Sequence, residues 1–381
     1  MSNVQYMNLN HQTPKNVETI IDRFNIEGKI IEIKAFGSGH INDTYLLKNE
    51  NDSYPDYLLQ RINHSIFTNV PGLMKNIQLV TDHLKSKLSE AAAATEVLTI
   101  VPLHRGELFY KDEEGNYWRI FHFIKDTNSY DLVEKEVQAN EGGKAFGRFQ
   151  AMLADLDASL LIEPIPNFLN IEMRLNRFYQ ALENDSAARK HIVTEEIEYI
   201  NARTEQMKTI LKLGREGKLP LRITHNDTKF NNVLLNKNDE VQCVIDLDTV
   251  MPGFVAYDFG DAIRTIINSA SEDEKELDKI KLNIPLFEAY TIGYLREACH
   301  FLTDIEVESL MHGVLLFPYM QAVRFLTDYL EDDVYYKISF KEHNLQRTKA
   351  QIKLLKEIEA HATQLSSIVN TVYSEIKSEV A

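Results

Sequence analysis

The hydrophobic periodicity of this chain changes once, near residue 125, and that change restricts what it can fold into. Before it, short runs rich in β-branched and aromatic residues (30–36, 44–48, 57–62, 97–101, 107–110 and 117–123) are separated by Gly, Asn and Asp, the pattern of half-buried strands joined by turns. One helical stretch interrupts them, with Leu73, Ile77, Val80, Leu84 and Leu88 at spacings of three and four. Beyond Asp126-Thr127-Asn128-Ser129, apolar residues recur at helical spacing over 147–153, 195–213, 274–298 and 305–330. The sequence therefore predicts an α+β chain of two parts: a small, antiparallel β-rich N-lobe over 1–124 and a larger, mainly helical C-lobe over 125–381. A last helix, 346–376, carries Ile352, Leu355, Ile358, Ala362, Leu365, Val369, Val372 and Ile376 in one stripe. Such a stripe serves either a face packed on its own lobe or a coiled-coil dimer seam, so monomer and homodimer both stay open.

The helical part is broken by one strand-rich insertion. Leu221-Arg222-Ile223, Val233-Leu234-Leu235 and 241–245 read as strands, the last two joined by an Asn236-Lys237-Asn238-Asp239 turn. Between the first and second lies His225-Asn226-Asp227-Thr228-Lys229-Phe230-Asn231-Asn232, and Asp246 closes the third. Phosphoryl transfer needs this set. One carboxylate accepts the proton of the attacking hydroxyl, while an amide oxygen and a second carboxylate hold Mg²⁺ against nucleotide phosphates. Asp227 is the candidate base, Asn232 and Asp246 are the candidate metal ligands, and His225 packs the loop from behind. The competing reading makes them ordinary turn and strand-end residues. Asp258 and Asp261 follow at the start of a helix, as supporting groups that tie down the loop or cap that helix.

In the β-rich part, Gly37-Ser38-Gly39-His40 joins the first two strands. Glycines there let a backbone approach phosphates closely, and a plain hairpin turn is the alternative. In protein kinases the third strand carries a Lys for the phosphates; here Gln60 stands at that place, with Arg61 on the opposite strand face. His122 to Ile124 forms the crossover to the helical part, where a nucleotide base can hydrogen-bond backbone groups; an ordinary inter-domain connection is the alternative.

The net charge of −16, without a long basic cluster, argues against nucleic acid and anionic membranes as partners. Two cysteines, Cys243 and Cys299, read as free thiols of a reducing compartment. The N-terminal stretch lacks an apolar signal region and no run of about 18 apolar residues occurs. A cytoplasmic protein without a membrane span is expected.

His225-x-Asp227 to Asn232, Ile245-Asp246 and Tyr257-Asp258-Phe259-Gly260-Asp261 resemble the aminoglycoside phosphotransferase and choline kinase superfamily, whose fold is bilobal and protein-kinase-like. Further signatures are Gly39-His40-Ile41-Asn42, Leu59-Gln60, Asp246-Leu247-Asp248-Thr249-Val250-Met251-Pro252-Gly253, Arg324-Phe325-Leu326 and Glu342-His343-Asn344-Leu345. Together they resemble the bacterial N-acetylhexosamine 1-kinases over about 30–360, and Gln60 fits that group. The resemblance implies transfer of the γ-phosphate of ATP, with Mg²⁺, to the anomeric hydroxyl of N-acetylglucosamine or N-acetylgalactosamine. The loop, strand and crossover readings above put Gly37, Ser38, Gly39, His40, Gln60, His122 and Ile124 at the nucleotide, and the resemblance puts Asp227, Arg324 and Tyr335 at the sugar. Asp248 is a second metal ligand or a sugar contact. Arg324 lies beside Phe325 and Leu326 in an apolar helix face, where a guanidinium needs a ligand or a carboxylate; Asp328 and Glu331 are the candidate structural partners. Two further readings stay in view: a kinase of the same superfamily for another small hydroxylated substrate, and a non-catalytic nucleotide- or sugar-binding regulator.

Overall fold

The computed structural model describes residues 16–37 and 41–380, and the chain divides into two units between Asp126 and Thr127. In the first unit, α1 (Val17–Ile21) leads into β1 (Ile30–Ala35), β2 (Asp43–Asn49) and β3 (Tyr57–Ile62). Then come α2 (Val70–Ser86), α3 (Glu90–Glu96), β4 (Ile100–Val101), β5 (Tyr110–Lys111) and β6 (Tyr117–His122). The strands form one antiparallel sheet in the order β1-β2-β3-β6-β4, with β5 also on β6. Alternation along the strands puts Tyr45, Leu47, Tyr57, Leu59, Trp118 and Ile120 in one buried cluster with Val17, Ile20 and Phe24 of the N-terminal segment. The α2 helix starts where Asn69 accepts the Gly72 N–H at 3.0 Å, and it buries Leu73, Met74, Ile77, Val80 and Leu84.

Two predicted strands are shorter than their apolar runs. The run at 97–101 keeps only Ile100–Val101, and that at 107–110 gives only Tyr110–Lys111. α3 runs to Glu96, so β4 starts late; it ends at Val101, because Pro102 has no N–H to continue a ladder, and the chain then turns back through Leu103 to Glu107. The short helices α1 and α3 are not marked by any long apolar period.

The second unit begins with β7 (Thr127–Asn128), α4 (Glu136–Leu153) and α5 (Ile171–Asn184). Three short helices follow, α6 (Thr194–Asn201), α7 (Thr204–Met207) and α8 (Thr209–Arg215). Next come β8 (Arg222–Thr224), β9 (Val233–Asn236), β10 (Val241–Val244), β11 (Met251–Gly253), α9 (Val255–Ile266), α10 (Ile284–Ala298), α11 (Asp304–Leu330) and α12 (His343–Val380). β9 and β10 make the expected hairpin, β7 pairs with β9, and β11 pairs with β8.

The run at 195–213 is thus three helices rather than one. The run at 274–298 is α-helical only from Ile284, because Asn283 accepts the Leu286 N–H at 3.2 Å and Pro285 occupies the first turn, a start signal that outranks the period before it. On α12, Leu355, Ile358, Leu365, Val369, Val372 and Ile376 are buried in the unit's own core, and Ile352 is buried as well, so this stripe packs on its own lobe. No helix among the described residues is long and apolar enough to cross a membrane.

Two helix crossings set the frame of this core. At the first, a Cβ on Gly293 of α10 would run into the carbonyl oxygen of Asn140 in α4; at the second, a Cβ on Gly313 of α11 would run into that of Ala256 in α9. Only glycine lets these backbones touch. Gly313→Ala is therefore expected to push α9 from α11 and to cost about 2–3 kcal/mol, read as a lower midpoint in urea denaturation.

Candidate active site

The loop between β8 and β9 is held by hydrogen bonds that leave its acidic side chain outward. Asp258, in the first turn of α9, accepts the N–H of His225 at 2.8 Å and that of Asn226 at 2.7 Å, one on each carboxylate oxygen. Gln150 of α4 donates to the same carboxylate at 2.7 Å and is itself held by the Tyr294 hydroxyl at 2.6 Å. Thr228 donates to the Asp258 carbonyl at 2.6 Å. The helix begins at Val255 without a side-chain cap, so Asp258 ties the loop rather than capping α9.

His225 is buried between Phe146 and Phe149, with ring centroids 5.6 and 5.9 Å away. Its Nε2 lies 2.9 Å from the Ile245 carbonyl and its Nδ1 accepts the Asp227 N–H at 3.3 Å, which assigns the ring proton to Nε2. Asn226 takes a left-handed φ of 64°, as Asn tolerates, and its side chain donates to the carbonyls of Thr224 and Thr249. These bonds deliver Asp227 at the exit of the turn.

A quarter of the Asp227 side chain is exposed, and its Oδ1 lies 3.0 Å from Lys229 Nζ. Burial alone would raise this carboxyl. Lys229, with His225 and Arg264 further away, outweighs burial and holds it below the usual carboxylate value. Asn232 donates from Nδ2 to the Asp227 carbonyl at 2.8 Å and to Asp227 Oδ2 at 3.3 Å. Its amide hydrogens are so committed, and Oδ1 is the atom left to present. The Asn232 carbonyl accepts the Ile245 N–H at 2.9 Å, which sets the following residue, the exposed Asp246 with its φ of 60°, next in line. An amide oxygen and a carboxylate form an all-oxygen pair, which suits a hard cation such as Mg²⁺. No cluster of three His, Cys, Asp or Glu suited to a metal occurs among the described residues. Asp248 is buried one turn beyond.

Arg264 of α9 is buried and bonds Asp261 Oδ1 at 3.0 and 3.2 Å and Glu272 at 2.8 Å. Burial pushes up the Tyr336 hydroxyl, against the charge of Arg324. Tyr336 lies under Arg324, 5.6 Å from ring centroid to guanidinium. These two residues belong to a separate pocket formed by α5, α11 and the segment after α11. Arg174, Arg177, Arg324, Asp328, Tyr335 and Tyr336 line it. Arg324 bonds Gln321 at 2.8 Å and forms no ion pair with Asp328 or Glu331. Asp328 instead accepts the N–H groups of Tyr335 and Tyr336 and the Asn344 amide, while Glu331 pairs with Arg177 at 2.6 Å. Tyr335 is 56% exposed. His343 is buried and bonded to Asp273, away from these groups.

In the first unit, Gly37 takes a left-handed φ of 78° with open space around its Cα, while Ser38, Gly39 and His40 lie outside the described residues. Thr44, Gln60 and Arg119 stand side by side across β2, β3 and β6. Arg119 donates to Gln60 Oε1 at 2.9 Å, so the Gln60 NH₂ points the other way, to Thr44 Oγ1 at 3.1 Å. The His122 N–H bonds the Thr99 carbonyl, and Ile124 is half-buried two residues on. Tyr45 belongs to the core.

Sequence reasoning missed four of these groups. Lys229 lay inside the loop motif, where its spacing from Asp227 was a usable signal. Arg119, Arg174 and Arg177 become visible only through strand register and helix packing.

An antiparallel sheet unit followed by a helical unit with an H-x-D-x-x-x-x-N loop on a β-hairpin is the architecture of a phosphotransferase. Residues 32–296, well over half of the chain, match the phosphotransferase enzyme family, and the chain belongs to that family, which is that of the aminoglycoside phosphotransferase and choline kinase-like superfamily. Similar solved structures share the fold. An aminoglycoside phosphotransferase from Alicyclobacillus acidocaldarius is 10% identical, with 96% of this chain and 98% of that one covered and a TM-score of 0.61. A microcompartment-associated aminopropanol kinase is 14% identical, with 92% and 98% covered and a TM-score of 0.60. The amicoumacin kinase hAmiN, in complex with AMP-PNP, Ca²⁺ and Ami, is 12% identical, with 90% and 93% covered and a TM-score of 0.59.

Proposed function

We propose that this phosphotransferase is an ATP-dependent sugar kinase that phosphorylates the anomeric hydroxyl of an N-acetylhexosamine. The observation that carries the kinase reading is the bonded unit of Asp227, Lys229 and Asn232, with Asp246 beside it. The nucleotide and the divalent cation are supported by hAmiN, which holds AMP-PNP and Ca²⁺. Asn232 and Asp246 would hold Mg²⁺, which when bound offsets the charge of the phosphate oxygens.

Asp227 takes the proton of the sugar hydroxyl as the new oxygen–phosphorus bond forms and the bond from the γ-phosphorus to its bridging oxygen breaks. Its lowered pKa keeps it a carboxylate at neutral pH, and the Asp258 bonds fix its position before substrate arrives, which lowers the ordering cost of the step. Lys229 supplies a positive charge beside the transferred group. In the first unit, the Gln60 NH₂, oriented by Arg119, is the donor offered where protein kinases place a Lys.

The acceptor class rests on the arginine-lined pocket. The guanidinium groups of Arg174 and Arg324, which no carboxylate offsets by an ion pair among the described residues, disfavour choline, amino alcohols and aminoglycosides, all cations at neutral pH, and suit a polyhydroxylated acceptor with an N-acetyl carbonyl. Arg324 and Tyr335 contact the sugar in this reading. Arg324→Ala is then expected to raise the sugar KM about 10- to 100-fold with a smaller change in kcat, the mark of a lost binding contact. The reading itself is tested by ADP release with Mg-ATP against N-acetylglucosamine, N-acetylgalactosamine, glucose, galactose, choline and kanamycin. Turnover of the N-acetylated sugars is expected; turnover of choline or kanamycin alone contradicts it.

A further inference from the structure

The acceptor pocket holds more positive charge than a neutral sugar needs. Arg174 lies in the first turn of α5, at the positive end of that helix, where a cation is disfavoured. Its Nη2 donates to the Phe168 carbonyl at 2.7 Å, and its buried Nε has no hydrogen-bond partner. Among the described residues no carboxylate pairs with it: Glu331 is taken by Arg177, Glu172 by Arg215, and both oxygens of Asp328 by backbone N–H groups. Arg324, its neighbour across the pocket, likewise has a neutral partner, Gln321. Burial, and then the charge of Arg324, pulls the Arg174 guanidinium down to about 10. Two guanidinium groups that repel one another without a carboxylate partner among the described residues, one with an orphaned donor, are suited to hold an anion.

We propose that Arg174 and Arg324 together hold an oxyanion carried by the acceptor, so that the preferred substrate is an acidic N-acetylhexosamine. Its carboxylate, sulfate or phosphate ester sits away from the anomeric carbon, which must stay free for phosphorylation. Bidentate guanidinium recognition of such a group is specific in geometry as well as charge, and Arg177, neutralised by Glu331, stands behind it. This rests on the sugar-kinase reading and narrows it.

The test compares kcat/KM of the full chain for N-acetylglucosamine, its 6-sulfate, its 6-phosphate and the corresponding uronic acid, with inorganic sulfate as a probe of the site. At least one acidic sugar is expected to exceed the neutral one by about 10-fold or more. That ratio falls to near one in Arg174→Gln and is partly kept in Arg174→Lys, which retains the charge. Sulfate competes with the acidic sugar and not with ATP. Equal or better use of the neutral sugar throughout overturns the proposal while leaving the sugar-kinase reading intact. Sulfate that speeds turnover of the neutral sugar also overturns it, because the anion would then be a free effector. If no hexosamine is turned over, the sugar-kinase reading falls. Calorimetric sulfate binding that Arg174→Gln abolishes would still support the oxyanion site, and binding that is absent or unchanged would overturn it.

Discussion

Asp227→Asn is expected to fold like the unaltered protein and to lose about a thousandfold in kcat, within the 10²–10⁴ that general bases supply. An amide cannot accept the hydroxyl proton, yet the loop geometry survives the change. Asn232 keeps its 2.8 Å bond to the residue 227 carbonyl, and Asp258 holds the loop through the backbone of His225 and Asn226. ADP release and a thermal melt, run together, check both halves. Turnover like that of the unaltered protein removes Asp227 from its role. Because Lys229 holds the carboxyl below its usual value, the acid limb of kcat/KM is expected to lie below about pH 4, the ordinary Asp value. The sign follows from the base staying ionised as pH falls through that value.

Asp258→Ala is expected to be the most damaging substitution for stability, at about 3–5 kcal/mol. It strips the acceptor from three buried donors at once, the His225 and Asn226 N–H groups and the Gln150 amide. It also frees the loop, so kcat falls although no reacting atom is touched. Urea denaturation measures the first effect and ADP release at a temperature where the variant stays folded measures the second. A midpoint shift corresponding to under 1 kcal/mol would contradict this account of how the loop is held.

What was legible in the sequence was local. The β8 to β10 region could be read because its strands, turn and functional side chains lie within about 25 consecutive residues, and the α12 stripe because a helix's period repeats along one segment. The late start of α10 was also written locally, in Asn283 with Pro285, but the hydrophobic period masked it. The arginine-lined pocket was only half legible. Arg324 stood out as a charge in an apolar helix face, whereas Arg174 and Arg177 belong to α5, about 150 positions earlier, and meet it only through the packing of α5 on α11. Arg119 was hidden for a related reason: Gln60 looked like a missing charge until the β3–β6 register put a guanidinium beside it.

The most direct test of the central claim is ³¹P NMR of the product formed from Mg-ATP and an N-acetylhexosamine by the purified protein. The account predicts one new phosphomonoester, its phosphorus coupled to the anomeric proton and released as ADP accumulates in equal amount. A phosphate on any other hydroxyl, or ADP formed with only inorganic phosphate appearing, would contradict it.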